Sequence, residues 1–127
     1  MILEPLQDEK EYRRIHELVF NTTPEPLPQH VIVGRNSDRD IVGFISGFWN
    51  SNDSFYIQWA GVLPAYQKGA YLRHFGQILD PNTTYDMAVE NTNTVTIKLV
   101  LSVGFIPIGV ILQGNKLFVQ LKREKHG

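Results

Sequence analysis

The sequence has no cysteine, no large excess of charge of either sign and no long apolar run. The absence of cysteine among the 127 residues excludes a disulfide framework, a thiolate nucleophile and a cysteine-ligated metal. A formal net charge of −1 argues against nucleic acid as the main partner, because binding to its phosphates depends on dense lysine and arginine. No stretch approaches the ~18 apolar residues of a membrane span, and no secretory leader opens the chain. We therefore expect a cytoplasmic protein that binds neither membrane nor metal.

Length and composition predict one globular domain. The chain is 127 residues long, which is enough for one hydrophobic core but not for two. Hydrophobic residues make up 43% and charged residues 20%, as in ordinary globular proteins. We expect a single domain over residues 1–127, in which the basic stretch 122–127 is a flexible, solvated tail.

The first half of the chain alternates between strand and helix patterns. A short strand within residues 1–7 is followed by Asp8 and Glu11, whose spacing is that of a capping box. The helix that they open should end near Phe20, and His16 is predicted to pack within it. Three prolines in the stretch 21–28 exclude a long helix there. Three strands joined by short polar turns should follow, at 30–35, 41–49 and 55–63, with their aromatic residues, including Trp49 and Trp59, in the core.

The second half continues with a helix, a strand, an ambiguous segment and a hairpin. A helix is predicted over about 67–79 and a strand over 84–90, which should pair in parallel with the third of the preceding strands. Residues 94–103 alternate like a strand, yet polar residues recur in that segment every four positions, as on a helix. If the segment is a helix, Asn93 would cap it and Gly104 would end it. The residue pattern alone leaves both the strand and the helix open. Residues 105–121 form a hairpin.

The stretch from Val62 to Arg73 carries the clearest chemical signal. An apolar strand breaks there at Pro64, and a basic loop with a single glycine, Gly69, precedes the next helix. Such a strand-to-helix turn aims free backbone N–H groups at one point, which favours an anion and commonly a phosphate.

Two motifs in these segments resemble those of the GNAT superfamily of N-acetyltransferases. The stretch Val62–Gln67 is similar to the family's V-x-P-x-[YF]-[RQ] pattern. A second pattern, V-x-x-x-N-x-x-A-x-x-L-Y-x-x-x-G-F, is matched in spacing by Val89, Asn93, Thr96, Leu99, Gly104 and Phe105. The resemblance implies that residues 94–102 are helical. It also implies an α+β fold: a central, mixed, mostly antiparallel sheet of about six or seven strands, with helices on both faces and a parallel strand pair splayed at the coenzyme A position.

The same resemblance implies a cofactor site for acetyl-CoA and an amine as the acceptor. Pantetheine would run along Val62 and Leu63. The residues implied for the pyrophosphate and its surroundings are Gln67, Lys68, Gly69, Ala70, Tyr71, Leu72 and Asn93. Glu90 is the one carboxylate placed to act as a general base.

The chain departs from the family at three of these positions. Ala70 and Leu72 stand where the family has glycine or another small residue, and Val100 replaces the tyrosine that protonates the departing thiolate. Direct acetyl transfer with weak or lost activity is therefore one hypothesis. The stretch Pro64–Gly76 also resembles compact GNAT-like proteins of tailed bacteriophages. That likeness implies the alternative, a non-catalytic protein in the host cytoplasm or virion that acts in head assembly through protein contacts.

Overall fold

The computed structural model describes residues 1–67 and 71–126, with the exception of the Leu72 side chain. Three residues predicted to bind the cofactor, Lys68, Gly69 and Ala70, lie outside the described residues.

Within the described ranges the chain forms one seven-stranded sheet with three α-helices and a short 3₁₀ turn. The elements are β1 (Ile2–Pro5), α1 (Glu9–Phe20), β2 (His30–Arg35), β3 (Ile41–Ser51), β4 (Ser54–Val62), the 3₁₀ turn (Pro64–Tyr66), α2 (Tyr71–Gln77), β5 (Thr84–Glu90), α3 (Thr94–Ser102), β6 (Ile106–Gln113) and β7 (Lys116–Arg123). The strand order is β1-β2-β3-β4-β5-β7-β6. A parallel pairing joins Ser54–Ile57 of β4 to Thr84–Met87 of β5, whereas β1–β2, β2–β3, β5–β7 and β6–β7 pair antiparallel. This confirms the predicted α+β fold, while the splay of the parallel pair stays a prediction.

The residues group into two compact units, each of which includes parts of β3 and β4. The first unit comprises Met1–Phe48 and Gln58–Leu79, and the second comprises Trp49–Ile57 and Asp80–Gly127. The single domain expected from the length of the chain stays a prediction.

In the first unit, α1 begins at the residue that the sequence predicts. The Asp8 carboxylate accepts hydrogen bonds from the backbone N–H groups of Lys10 and Glu11, at 3.0 and 3.3 Å. The Glu11 carboxylate does not complete a reciprocal capping box, because it pairs with the Arg14 guanidinium one turn further on. Asn21 ends the helix in a left-handed conformation, at φ 57°, which asparagine tolerates better than most residues.

Helices cover both faces of the sheet in this unit. Val33 pairs with Phe44, and the next residues along, Gly34 and Gly43, pair with each other. Because side chains alternate between the two faces of a strand, the two pairs point in opposite directions. α1 packs against the face that carries Val33 and Phe44. On the other face the Phe75 ring of α2 occupies the room left by the glycines, since a Cβ on Gly34 would lie 2.8 Å from that ring.

The second unit holds the C-terminal strands and orders the start of the predicted basic tail. Arg123 belongs to β7 and is buried, with its guanidinium 6.0 Å from the centre of the Tyr85 ring. Lys125 pairs with the Asp53 carboxylate, which raises the pKa of the lysine. The expectation of a flexible, solvated tail is therefore wrong for Lys122 and Arg123, which belong to β7; for residues 124–126, which are exposed, it stays a prediction.

Residues 94–102 form a helix, as the resemblance implies. The Asn93 side chain accepts a hydrogen bond from the Thr96 backbone N–H at 3.2 Å, and Gly104 follows the helix with φ +101°. Both end signals predicted from the sequence are confirmed. The Asn93 cap and Gly104 therefore favour the helix over the strand that the alternating apolar residues also allow.

Two other sequence expectations are wrong. The helix predicted over about 67–79 does not include Gln67, which follows the 3₁₀ turn, and among the described residues α2 covers Tyr71–Gln77. Trp49 and Trp59 are 39% and 37% exposed rather than in the core, although Trp49 contacts the Phe55 ring and Trp59 contacts the rings of His16 and Phe20. In the described part of the chain, no helix is long and apolar enough to cross a membrane.

Candidate functional site

The sequence places a cofactor at the end of β4. The last residue of this strand, Val62, and the residue after it, Leu63, are both buried. Val62 and Leu63 are 3% and 8% exposed. The Leu63 N–H donates to the Val42 carbonyl at 2.8 Å. Leu63 keeps an extended conformation, with ψ 148°, as the residue before a proline must. The Leu63 N–H is therefore already paired and is not free to polarise an acetyl carbonyl.

The Gln67 side chain is hydrogen-bonded to the last residue of β4. Its Nε2 donates to the Val62 carbonyl at 2.9 Å, and its backbone N–H donates to the Pro64 carbonyl at 3.4 Å. The Tyr66 N–H donates to the Leu63 carbonyl at 2.8 Å. These bonds satisfy backbone groups that a strand end would otherwise leave open. The Val62 carbonyl therefore already accepts one hydrogen bond and has one lone pair left for a ligand.

Two tyrosines, Tyr66 and Tyr71, lie on either side of residues 68–70, which are outside the described residues. The rings of Tyr66 and Tyr71 meet edge to face, with centroids 5.4 Å apart. Asn36 donates to the Tyr66 hydroxyl at 3.3 Å, while Tyr71 is 41% exposed. The contact between the two rings thus holds the start of α2 against the turn, and the Tyr71 ring keeps part of its surface exposed.

A cavity of about 420 Å³ lies beside α2 and is lined by Tyr71, Arg73, His74 and Gln77. Arg73 brings a planar guanidinium, which can form two parallel hydrogen bonds to a phosphate or carboxylate. The sequence places Arg73 at the end of the anion-site stretch but assigns it no role. Helical spacing is the signal that could have found it, since Arg73 and Gln77 are four residues apart and share a helix face.

A buried polar chain connects α1 to β3 in the first unit. The Tyr12 hydroxyl lies 3.0 Å from His16 Nδ1 and 3.0 Å from Ser46 Oγ. His16 is fully buried, and its ring centroid lies 4.8 Å from that of Phe20 and 4.9 Å from that of Trp59. Among the described residues, no group is hydrogen-bonded to its Nε2. Burial lowers the pKa of His16, so the ring stays neutral at pH 7.

The remaining predicted site residues lie in the second unit. Glu90, at the end of β5, is half-buried and opposite Phe118 of β7, and its carbonyl accepts the Asn93 N–H at 2.9 Å. The Asn93 side-chain oxygen is engaged as the cap of α3. Val100 is 8% exposed, so the position of the family's tyrosine is filled by a core residue. The structure therefore brings Val62, Leu63 and Gln67 together in one unit and Glu90 and Asn93 in the other.

No protein-family model matches the sequence, and no curated protein matches it either. Solved structures do resemble the fold. A chimera of the Vibrio cholerae spermidine N-acetyltransferase and hSSAT matches with a TM-score of 0.71 and 15% identity, over 96% of this chain and 94% of its own. The Vibrio cholerae enzyme in complex with manganese ions gives 0.69 and 14%, over 95% and 90%. A Bacillus subtilis acetyltransferase in complex with CoA gives 0.71 and 13%, over 96% and 97%. The chain therefore has the fold of the GNAT acetyltransferases.

Proposed function

We propose that the chain binds acetyl-CoA at the end of β4 and transfers the acetyl group to an amine. The observation that carries this proposal is the course of β4, which pairs in parallel with β5 through Ser54–Ile57 and ends at Val62 in the Pro64–Tyr66 turn. In a mostly antiparallel sheet, a parallel pair needs a crossover connection. Here that crossover contains both the turn and α2.

The residues around this turn fit an anionic cofactor. Pantetheine would lie along Val62 and Leu63, and the pyrophosphate would lie over the stretch from Gln67 to Leu72. Arg73 faces the adjoining cavity and adds a cation suited to a phosphate group. The Gln67 side chain donates to the Val62 carbonyl, so any bond that this side chain makes to acetyl-CoA would compete with that contact.

The catalytic groups that this chain supplies are few. When bound, acetyl-CoA supplies a thioester that an amine can attack. Glu90 is the proposed acceptor of the amine proton, through water. Val100 cannot donate a proton to the leaving group, and a general acid or base typically contributes about 10²–10⁴-fold to the rate. We therefore expect acetyl transfer to be slow compared with that of an enzyme that has the tyrosine.

Thermal unfolding in the presence of acetyl-CoA tests the cofactor. A ligand at 100 times its dissociation constant stabilises a protein by about 2.7 kcal/mol, which should raise the melting temperature by roughly 10 °C for a chain of this size. Arg73→Gln should reduce the shift, whereas Arg13→Gln, an exposed arginine of α1, should leave it unchanged. Pyrophosphate alone serves as the control for a general anion site. No shift at millimolar acetyl-CoA would refute the proposal.

A second candidate function is favoured by the buried Val100 and by the engaged side chain of Gln67. Both observations favour a GNAT-like protein without catalysis. The candidate is the alternative that the resemblance implies, a protein of the kind encoded by tailed bacteriophages, which acts in virion or head assembly through protein contacts. This candidate predicts no stabilisation by acetyl-CoA. It also predicts that the protein binds a virion protein in purified form, which light scattering of the mixture would detect.

A further inference from the structure

The imidazole of His16 has one ring nitrogen that the fold does not use. Its Nδ1 lies 3.0 Å from the Tyr12 hydroxyl, which in turn lies 3.0 Å from Ser46 Oγ. Its Nε2 is buried, and among the described residues no group is hydrogen-bonded to it. Buried polar atoms in native proteins nearly always have a partner. An open nitrogen in a fully buried ring therefore calls for a partner that the chain itself does not supply.

The two hydroxyl groups beside His16 determine which ring nitrogen carries the proton. Each hydroxyl has one hydrogen to donate. When Ser46 donates to Tyr12 and Tyr12 donates to Nδ1, both hydrogens are used, and the proton of the neutral ring lies on Nε2. When Nδ1 donates instead, Tyr12 donates to Ser46, and within this chain of three groups the Ser46 hydrogen is left over. The hydrogen bonds therefore favour Nε2–H, so the open nitrogen of His16 is a donor and not a base.

Two aromatic rings pack on His16, and both are partly exposed. The ring centroids of Phe20 and Trp59 lie 4.8 and 4.9 Å from that of His16. Phe20 is half-buried, and Trp59, whose ring stands at 77° to the imidazole, is 37% exposed. An aromatic ring is a weak acceptor for an N–H group, so these contacts do not replace a hydrogen bond. A ligand that turns the Trp59 ring outwards can therefore offer Nε2–H a stronger acceptor.

The end of α1 packs on β4 directly before the residues proposed to contact pantetheine. A Cβ on Gly61 would lie 2.5 Å from Val19 Cγ1 and 3.5 Å from Phe20 Cζ. Trp59 lies two residues before Gly61, so its side chain points to the same face of the strand. His16 is thus separated by one aromatic layer from the last residues of β4.

The course proposed for acetyl-CoA brings its acetyl group to this part of β4. The pyrophosphate would lie over the stretch from Gln67 to Leu72, and pantetheine would lie along Leu63 and Val62. A cofactor laid in this direction runs towards the earlier residues of the strand, so its thioester would come beside Trp59.

We propose that His16 Nε2–H donates a hydrogen bond to the carbonyl oxygen of the acetyl group. This inference rests on the proposed function, and it supplies the donor that the Leu63 N–H cannot be, because that N–H is bonded to the Val42 carbonyl. When the amine nitrogen attacks the acetyl carbon, a C–N bond forms and the C=O electron pair moves to the oxygen, where Nε2–H stabilises the charge. The C=O bond then re-forms as the C–S bond breaks, and the electron pair of the C–S bond leaves on the sulfur of CoA. The amine proton leaves through water, and His16 keeps its own proton throughout.

The affinities for acetyl-CoA and for CoA, measured by titration calorimetry, test this bond without any catalysis, because only acetyl-CoA has the carbonyl. His16→Asn keeps a polar group at the position of Nδ1, beside Tyr12, but has no atom at the position of Nε2. It should lower the preference for acetyl-CoA over CoA about fivefold, the worth of one hydrogen bond. His16→Gln carries an N–H as many bonds from Cβ as Nε2 and should keep most of the preference. His30→Gln, at the exposed start of β2, is the control and should leave the preference unchanged.

Nitrogen-15 NMR of the histidine rings tests the donor in the unchanged protein. The chain has four histidines, and the signals that disappear in His16→Gln belong to His16. We expect a protonated Nε2 and an unprotonated Nδ1 at pH 7. Acetyl-CoA should shift the Nε2–H signal, whereas CoA should shift it much less.

The outcomes separate this inference from the proposed function. If acetyl-CoA binds but His16→Asn keeps the full preference over CoA, only the inference is overturned. A proton on Nδ1, or an Nε2–H signal that acetyl-CoA and CoA shift equally, overturns it as well, and these two results do not depend on whether a variant folds. If neither acetyl-CoA nor CoA binds the unchanged protein, the proposed function fails and the inference fails with it. Circular dichroism checks the fold of each variant.

Discussion

Replacing Tyr12 with phenylalanine should destabilise the protein strongly, although it removes only one oxygen atom. The Tyr12 hydroxyl is the shared partner of His16 Nδ1 and Ser46 Oγ, at 3.0 Å from each. All three side chains are buried. A phenylalanine ring fills the same space, so the substitution creates almost no cavity. The cost arises because two buried polar groups lose their partner.

The magnitude follows from the number of groups left without a hydrogen bond. A buried polar group without a partner costs about 1–3 kcal/mol, so two such groups predict a loss of roughly 2–6 kcal/mol in the free energy of unfolding. Removing Ser46 Oγ as well takes away one of the two groups. We therefore expect Tyr12→Phe with Ser46→Ala to be about 1–2 kcal/mol more stable than the sum of the single losses predicts.

Urea unfolding at pH 7 measures these differences for the two single variants and the double variant. Tyr66→Phe is the control, since the Tyr66 hydroxyl accepts one longer bond of 3.3 Å in a partly buried position; its loss should stay below about 1 kcal/mol. The reasoning is refuted if Tyr12→Phe costs no more than the control. It is equally refuted if the losses of the double variant simply add.

Two further predictions concern pH and backbone contact. Burial holds the pKa of His16 below its ordinary 6.5. The contribution of the neutral His16 ring to the free energy of unfolding is therefore complete above pH 6.5, and it is lost as the pH falls through the lower pKa of the folded state. The urea midpoint should therefore drop between pH 7.5 and about 5, less so in His16→Gln, while the exposed His74→Gln retains the full drop. Gly43→Ala should cost about 1–3 kcal/mol, because its Cβ would lie 2.8 Å from a backbone oxygen. In urea unfolding, Gly109→Ala should cost much less than Gly43→Ala, because its Cβ meets the flexible end of a glutamine side chain; equal losses would contradict this.

The sequence predicts best those elements whose signals are local. Asp8 and the periodic apolar residues after it mark α1, and the strand 84–90 has the predicted bounds. Residues 94–102 show the limit of periodicity, because β-branched residues fit either a helix or a strand there. A single capping residue, Asn93, carries the information that the apolar pattern lacks.

The candidate site is less predictable, because its contacts join residues that are distant in sequence or depend on side-chain conformation. The bond between Gln67 and the Val62 carbonyl competes with the ligand role that the motif implies for the same glutamine. Ser46 reads as an ordinary strand residue until the fold places it beside Tyr12. Four apolar side chains of β6 are more than half exposed, which cannot be read from the sequence either, since the same residues would suit a central strand.

The facing glycines of β2 and β3 have a consequence for how this protein can diverge. Phe75 sits over Gly34 and Gly43, so α2 is anchored on the sheet as well as by the ring contact between Tyr66 and Tyr71. Substitutions that change the ligand contacts of the turn, such as those at Gln67, should therefore leave the helix in its place. A chain of this kind can exchange one ligand for another, or lose its ligand altogether, without losing its fold.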